Sequence, residues 1–203
     1  MRVRDASHHR GKFRAMPFEI EPTEIPDVLV ITTRRFDDTR GHFLETFRDS
    51  ALAEHGIDLH IAQVNESVSR VRTLRGLHYQ LDPHAQGKLV RVLRGSVLDI
   101  AVDLRAGSPW FGQHVSQELS AESGRMMWVP PGFAHGFCAL SDGAHFLYMQ
   151  SREYHPEAEA GIHPLDPALK IAWPFRADEL ILSEKDAVLP PLTEARHNFE
   201  FAS

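Results

Sequence analysis

The sequence predicts an all-β protein, an antiparallel sandwich or barrel with a few short helices, on three observations. Short β-type segments recur between Gly, Pro, Asp and Ser, with turn signals roughly eight to twelve residues apart. One of them, VLDIAVDL, alternates its side chains with the period of a strand. Helical signals are few, and no glycine-rich loop follows a strand, so neither a Rossmann nor a P-loop architecture has support.

Along the chain the candidate strands are 28–33, 61–68, 88–93, 96–104, 114–119, 126–129, 136–140 and 145–150. In 96–104, Leu98, Ile100, Val102 and Leu104 point one way, while Val97, Asp99, Ala101 and Asp103 point the other. That strand has one oily face and one partly polar face. Residues 49–55 (DSALAEH), closed by Gly56, form one helical candidate, and 178–187 form a second. Residues 1–15 are polar without apolar periodicity and read as a flexible arm or tag, leaving 16–203 as a single domain.

Composition narrows the function. A chain of 203 residues, 42% hydrophobic and 25% charged, suits one ordinary globular domain. No apolar run approaches the roughly 18 residues of a membrane span, and the basic start MRVRDASHHRGKFRAM lacks the apolar stretch of a secretory signal. The single cysteine, Cys138, precludes an internal disulfide framework and fits a reducing compartment, the cytoplasm by default. With 22 Lys+Arg against 28 Asp+Glu, the net charge of -6 argues against nonspecific nucleic-acid binding. A small anionic ligand needs only a few local cations and stays open.

Polar groups concentrate in three β-type stretches. TLRGLHYQ (73–80) carries Arg75 and His78 and is followed by Lys88 in GKLVRV; WVPPGFAHGF (128–137) leads a Pro-Gly turn into His135; FLYMQSREYHP (146–156) holds Tyr148 and Tyr154. Each side chain also has a structural reading. His78 could be a hydrogen-bonded strand residue and His135 could be packing. Tyr148 could be core with a satisfied hydroxyl. Lys88 and Arg91 could be solvated edge charges, and Asp99 could lie on a solvent face. A metal barrel usually shows two histidines one residue apart, but the corresponding run here is His78-Tyr79-Gln80, so a metal site is not expected. Cys138 lacks the context of a nucleophile.

Together these segments resemble the dTDP-4-dehydrorhamnose 3,5-epimerase family, the cupin-like nucleotide-sugar epimerases. The resemblance runs from about Ile25 to Leu192 through IPDVLVI, FDDTRGHFLETF, QVNESVS, TLRGLHYQ, GKLVRVLRGSVLDIAVDLRAGSPWFG, WVPPGFAHGF, FLYMQS, EYHPEAEAGI, DPALKIAWP and LSEKDAVLPPL. It implies a cupin-like jelly-roll barrel, a homodimer, and a substrate such as dTDP-4-keto-6-deoxyglucose turned over without a cofactor. By the same resemblance His78 matches the general base, Asp186 its paired carboxylate, Tyr148 the acid on the opposite side of the sugar, and Lys88 the cation near the keto oxygen. Arg40, Glu45, Gln63, Asn65, Arg75, His135, Glu159 and Lys185 match substrate-binding positions, and Tyr154 the ring that stacks on thymine. The residue types suit the chemistry: a carbon next to a ketone loses a proton to a base, and cationic charge steadies the enolate. Relatives that invert one carbon share the same His–Asp–Tyr set, so the choice between one and two epimerised carbons stays open.

Overall fold

The computed structural model describes residues 18–202, so the arm expected over 1–15 lies outside the described residues. Two antiparallel sheets form its body. The strands are β1 (Phe18–Pro22), β2 (Leu29–Thr33), β3 (Arg35–Asp38), β4 (Gly41–Leu44), β5 (Gln63–Ser69), β6 (Leu74–Gln80), β7 (Lys88–Arg94), β8 (Ser96–Asp103), β9 (His114–Ser120), β10 (Met126–Val129), β11 (Phe133–Ala139), β12 (Ala144–Gln150) and β13 (Glu159–Gly161). The first sheet runs β1-β2-β10-β7-β12-β5, the second β13-β6-β11-β8-β9, and β3 pairs with β4 as a separate hairpin. Strands β5, β12, β7 and β10 thus face β6, β11, β8 and β9, the interleaved order of a jelly roll. The expected cupin-like jelly roll is what the chain adopts.

Apolar side chains explain the layering. Between the sheets lie Val90, Val92, Met127 and Phe146 from one side and Val97, Ala101, Val115, Leu119 and Phe137 from the other. Phe137 and Phe146 stack across this gap, centroids 4.4 Å apart, a contact of about 0.5–1.5 kcal/mol beyond their burial. Both outer faces are also covered. Ile100, Val102 and Leu104 pack under Leu169, Ala195 and Phe199 of the C-terminal segment. Leu89, Met126 and Met149 pack under Leu52, Ile57 and Leu59. Leu52 belongs to the short helix α1 (Asp49–Ala53), within the expected 49–55.

Two expectations are corrected. The partly polar face of β8 does not meet solvent: Asp99 and Asp103 are wholly buried, because the first sheet covers one side of the strand and the C-terminal segment the other. No helix spans 178–187; 3-10 turns form at Ala177–Glu179 and Asp186–Val188. Between them Ile181 runs alongside Thr73, donating its N–H to Arg72 O at 2.9 Å and accepting from Leu74 N at 2.9 Å. That pairing draws the segment into extended form and places Asp186 beside β6.

Candidate active site

Toward one end of the sandwich the apolar filling gives way to a cleft of about 990 Å³, large enough for a nucleotide sugar. Its walls come from both sheets. Asn65, Ser67 and Ser69 of β5, Lys88 of β7 and Tyr148 of β12 line one side; Arg75 and His78 of β6 and His135 of β11 line the other. Tyr154, Glu159, Lys185 and Asp186 complete it.

A local irregularity brings Arg75 and His78 to one face. Strand alternation would place residues at this spacing on opposite faces. Across the ladder, however, His78 pairs with His135 while Arg75 pairs with Phe137, so β6 carries one residue more than β11 in this stretch. The bulge contains Gly76 at φ +110, where a Cβ would come within 2.6 Å of Gly136 Cα and 2.7 Å of His135 O. Only glycine fits there, and both polar neighbours reach the cleft as a result.

His78 is half-buried and its Nε2 lies 2.7 Å from Asp186 Oδ1. The second carboxylate oxygen accepts from the Gly76 N–H at 3.4 Å, and the Asp186 N–H donates to Ser183 Oγ at 3.1 Å. Burial alone would raise the Asp186 carboxyl, but the hydrogen bonds from His78, Gly76 and Ser183 outweigh it and hold it below its ordinary value. An ionised partner orients the imidazole and steadies its cation.

Facing this pair from the other sheet, Tyr148 sets its hydroxyl 3.4 Å from Ser67 Oγ. Burial pushes the phenol up to about 12, with Asp99 adding to the shift and Ser67 and Arg75 opposing it, so it stays protonated at neutral pH. Lys88 is buried and donates to His78 O at 3.3 Å. Burial pulls its ammonium down to about 8, against the opposing pull of Asp99 and Glu159. It therefore remains mostly charged near neutrality. His135 is buried with its Nε2 2.9 Å from Asp99 Oδ1.

At the rim, Tyr154 donates its hydroxyl to Glu159 Oε2 at 2.8 Å, and Glu159 also pairs with Lys185. Gln63 accepts the Tyr154 N–H at 2.7 Å and donates to Asn65 at 3.0 Å, so it braces the rim without lining the cleft. Arg40 and Glu45 are not brought to this cleft. Arg40 sits beside the exposed β3–β4 turn, bonded to Asp38, and Glu45 pairs with Arg48. Sequence reasoning passed over Ser67, Ser69, Ser183 and Gln150 as partners of the site, and considered Asp99 only as a solvent-face residue. The period of β8, which sets Asp99 on the same face as the core residues Val97 and Ala101, was the available signal. Among the described residues no group of three or more His, Cys, Asp or Glu side chains is placed to hold a metal ion.

The family model described as dTDP-4-dehydrorhamnose 3,5-epimerase matches residues 22–194. A dTDP-4-dehydrorhamnose 3,5-epimerase from Pseudomonas aeruginosa is 52% identical over 163 residues, 80% of this chain and 89% of that protein. The crystal structure of a dTDP-6-deoxy-D-glucose-3,5-epimerase from Legionella pneumophila, in complex with dTDP-4-keto-L-rhamnose, superposes with a TM-score of 0.84 at 46% identity, covering 87% of this chain and 94% of that one. A dTDP-4-dehydrorhamnose 3-epimerase from Streptomyces niveus is 42% identical over 178 residues, 87% of this chain and 85% of that protein.

Proposed function

The chain belongs to the dTDP-4-dehydrorhamnose 3,5-epimerase family, and from that premise we propose that it inverts carbons 3 and 5 of dTDP-4-keto-6-deoxy-D-glucose to give dTDP-4-keto-L-rhamnose, with His78 as base and Tyr148 as acid. One observation carries the assignment of roles. The His78–Asp186 pair and the Tyr148 hydroxyl stand on opposite walls of one cleft, so a sugar ring between them meets a base on one face and a proton donor on the other.

The steps balance in protons alone. Neutral His78 takes the proton from carbon 3, and the C–H electron pair moves onto the ketone oxygen at carbon 4. The imidazolium so formed is held by ionised Asp186. Lys88, charged inside a desolvated cleft, stabilises the enolate, where such electrostatic terms are large. Tyr148 then delivers its hydroxyl proton to the opposite face of carbon 3, restoring the ketone with inverted configuration. Solvent returns a proton to the phenolate and removes one from His78. Because carbons 3 and 5 both flank the ketone, the same pair serves both after the ring shifts. No electrons are transferred, so the reaction calls for no redox cofactor.

Arg75, with its guanidinium at the cleft edge, suits the diphosphate as a fork-shaped donor. Tyr154, about half exposed at the rim, offers a ring face for the thymine, with Asn65, His135, Glu159 and Lys185 around the sugar and phosphates. Residues 16–203 act as a single domain on this reading, and the enzyme works in the cytoplasm as a homodimer. In support of a dimer, the facing pair Phe36 and Phe43 on the hairpin is exposed, as are Val64 and Val68 on the edge strand β5. A second copy seated on these faces is also the arrangement in which Arg40 and Glu45 could meet a bound nucleotide. Sedimentation would test this, a monomer at micromolar concentration sinking it.

The activity itself is tested by incubation with dTDP-4-keto-6-deoxyglucose in deuterium oxide, followed by NMR. Deuterium at carbons 3 and 5 with the L-sugar as product is expected. Inversion at carbon 3 only would move the enzyme to the reaction named for the Streptomyces niveus relative.

A further inference from the structure

Beneath the floor of the cleft, behind His135, lies a carboxylate that takes no part in the proton transfers. Asp99 is wholly buried at the centre of β8. Its Oδ1 meets His135 Nε2 at 2.9 Å, and its Oδ2, equally buried, has no hydrogen-bond partner. Lys88 is its mirror image: a buried ammonium whose hydrogen bond goes to a backbone carbonyl and which forms no ion pair among the described residues. A buried charge left alone is costly, and so is each of these considered singly. Placed around one desolvated volume they compensate one another.

We propose that Asp99 is a positioning residue for this reaction, a single buried carboxylate that keeps Lys88 charged and holds the His135 ring by its Nε2 beside the site where the enolate oxygen forms. The inference rests on the epimerase reading of the cleft and adds to it the device that sets its charge. His135 presents its Nε2 to Asp99 and stands edge-on to the Tyr148 ring, centroids 6.1 Å apart, so the same carboxylate lies behind both the oxygen-binding wall and the proton donor. Burial raises the Asp99 carboxyl, and His135 and Lys88 oppose that rise; ionised, Asp99 favours the ammonium of Lys88 and the phenol of Tyr148.

Acting on Lys88 are Asp99 from β8 and Glu159 from β13, and the His78 carbonyl of β6 accepts its hydrogen bond; His135 of β11 and Tyr148 of β12 line the same cleft. Facing Asp99 are His135 and Lys88, with Tyr148 beyond His135. Burial lowers the Lys88 ammonium to about 8, and Asp99 is the first group opposing that fall. Neutralising Asp99 without changing its shape therefore lets Lys88 lose its proton at lower pH.

The test is the pH dependence of kcat for Asp99→Asn, with thermal unfolding and dTDP binding measured alongside. The wild-type rate is expected to fall above pH of about 8, and in D99N that limb moves down by about one unit or more. A packing role alone would lower the rate or the stability without moving the limb. An unmoved limb in folded, dTDP-binding D99N overturns the proposal. A second measurement needs no variant at Asp99: ¹⁵N NMR of the histidine rings in the unaltered protein, with the His135 signal assigned by its loss in His135→Gln. A proton on Nε2 from pH 6 to 9 is expected if Asp99 is ionised; an unprotonated Nε2 means that Asp99 carries the proton, and overturns the idea. If wild-type protein takes up no deuterium from solvent, the epimerase reading fails, while the imidazole spectrum still decides the charge of Asp99.

Discussion

His78 and His135 stand directly opposite one another on neighbouring strands, yet each turns its Nε2 to a different carboxylate, Asp186 at 2.7 Å and Asp99 at 2.9 Å. The two pairs differ in access. The His78 side chain is 33% exposed at the cleft wall, whereas that of His135 is 2% exposed in the floor. A base must reach the substrate and then lose its proton to water, which His78 can do and His135 cannot. The buried pair is suited to holding charge in place, and the open pair to moving it.

Replacing His78 by Ala removes the proposed base and leaves the proposed nucleotide contacts. Deuterium exchange at carbons 3 and 5 should fall together, by about 10²–10⁴-fold, while dTDP affinity by calorimetry stays within a few-fold. Exchange persisting at either carbon would show a second base.

Tyr148→Phe removes the proposed donor and keeps the ring among Phe137, Phe146 and His135. Deuterium should still enter the substrate, because His78 can withdraw a proton and return a solvent-derived one to the same face. The inverted product should disappear. Simultaneous loss of both signals would contradict separate roles for the two residues.

Asp186 links the site to stability. Its carboxyl sits below its ordinary value in the folded chain, so the stability it contributes is complete above the unfolded pKa of about 3.9 and is lost as pH falls through the lower folded value. The stability gap between wild type and Asp186→Asn, measured by urea unfolding, should therefore shrink on going from pH 5 to pH 3. A gap that widens on acidification would reverse the assigned direction. At neutral pH the same variant should lower kcat more than dTDP affinity, since it frees the His78 ring to turn.

Gly76→Ala asks whether the bulge is required. The added Cβ meets Gly136 Cα and His135 O at well under contact distance, at a φ that other residues avoid. A loss of about 2 kcal/mol or more is expected, with kcat falling because Arg75 and His78 no longer share a face. Unchanged unfolding midpoint and rate would show that β6 can dispense with its extra residue.

What the sequence determined by itself was the architecture and the identity of the chemical groups. Alternating apolar residues with turn signals at short spacing fold locally as strands, so candidates such as 88–93, 96–104, 126–129 and 145–150 correspond to β7, β8, β10 and β12 with small shifts at their ends. Matching runs such as TLRGLHYQ and LSEKDAVLPPL supplied His78 and Asp186 as a pair. Nothing in strand periodicity could join them, because they lie 108 residues apart and meet only when Ile181 pairs with the stretch leading into β6. Strand periodicity alone would put Arg75 and His78 on opposite faces, and it left Asp99 open to solvent. Both outcomes depended on what packs against the strand: the bulge opposite β11 turned Arg75 inward, and the C-terminal segment and the facing sheet sealed β8. Local sequence sets which way a side chain leans; whether water or another layer waits there is decided only when the sheets close, and that closure decides which carboxylate meets His78 and which one is sealed behind His135.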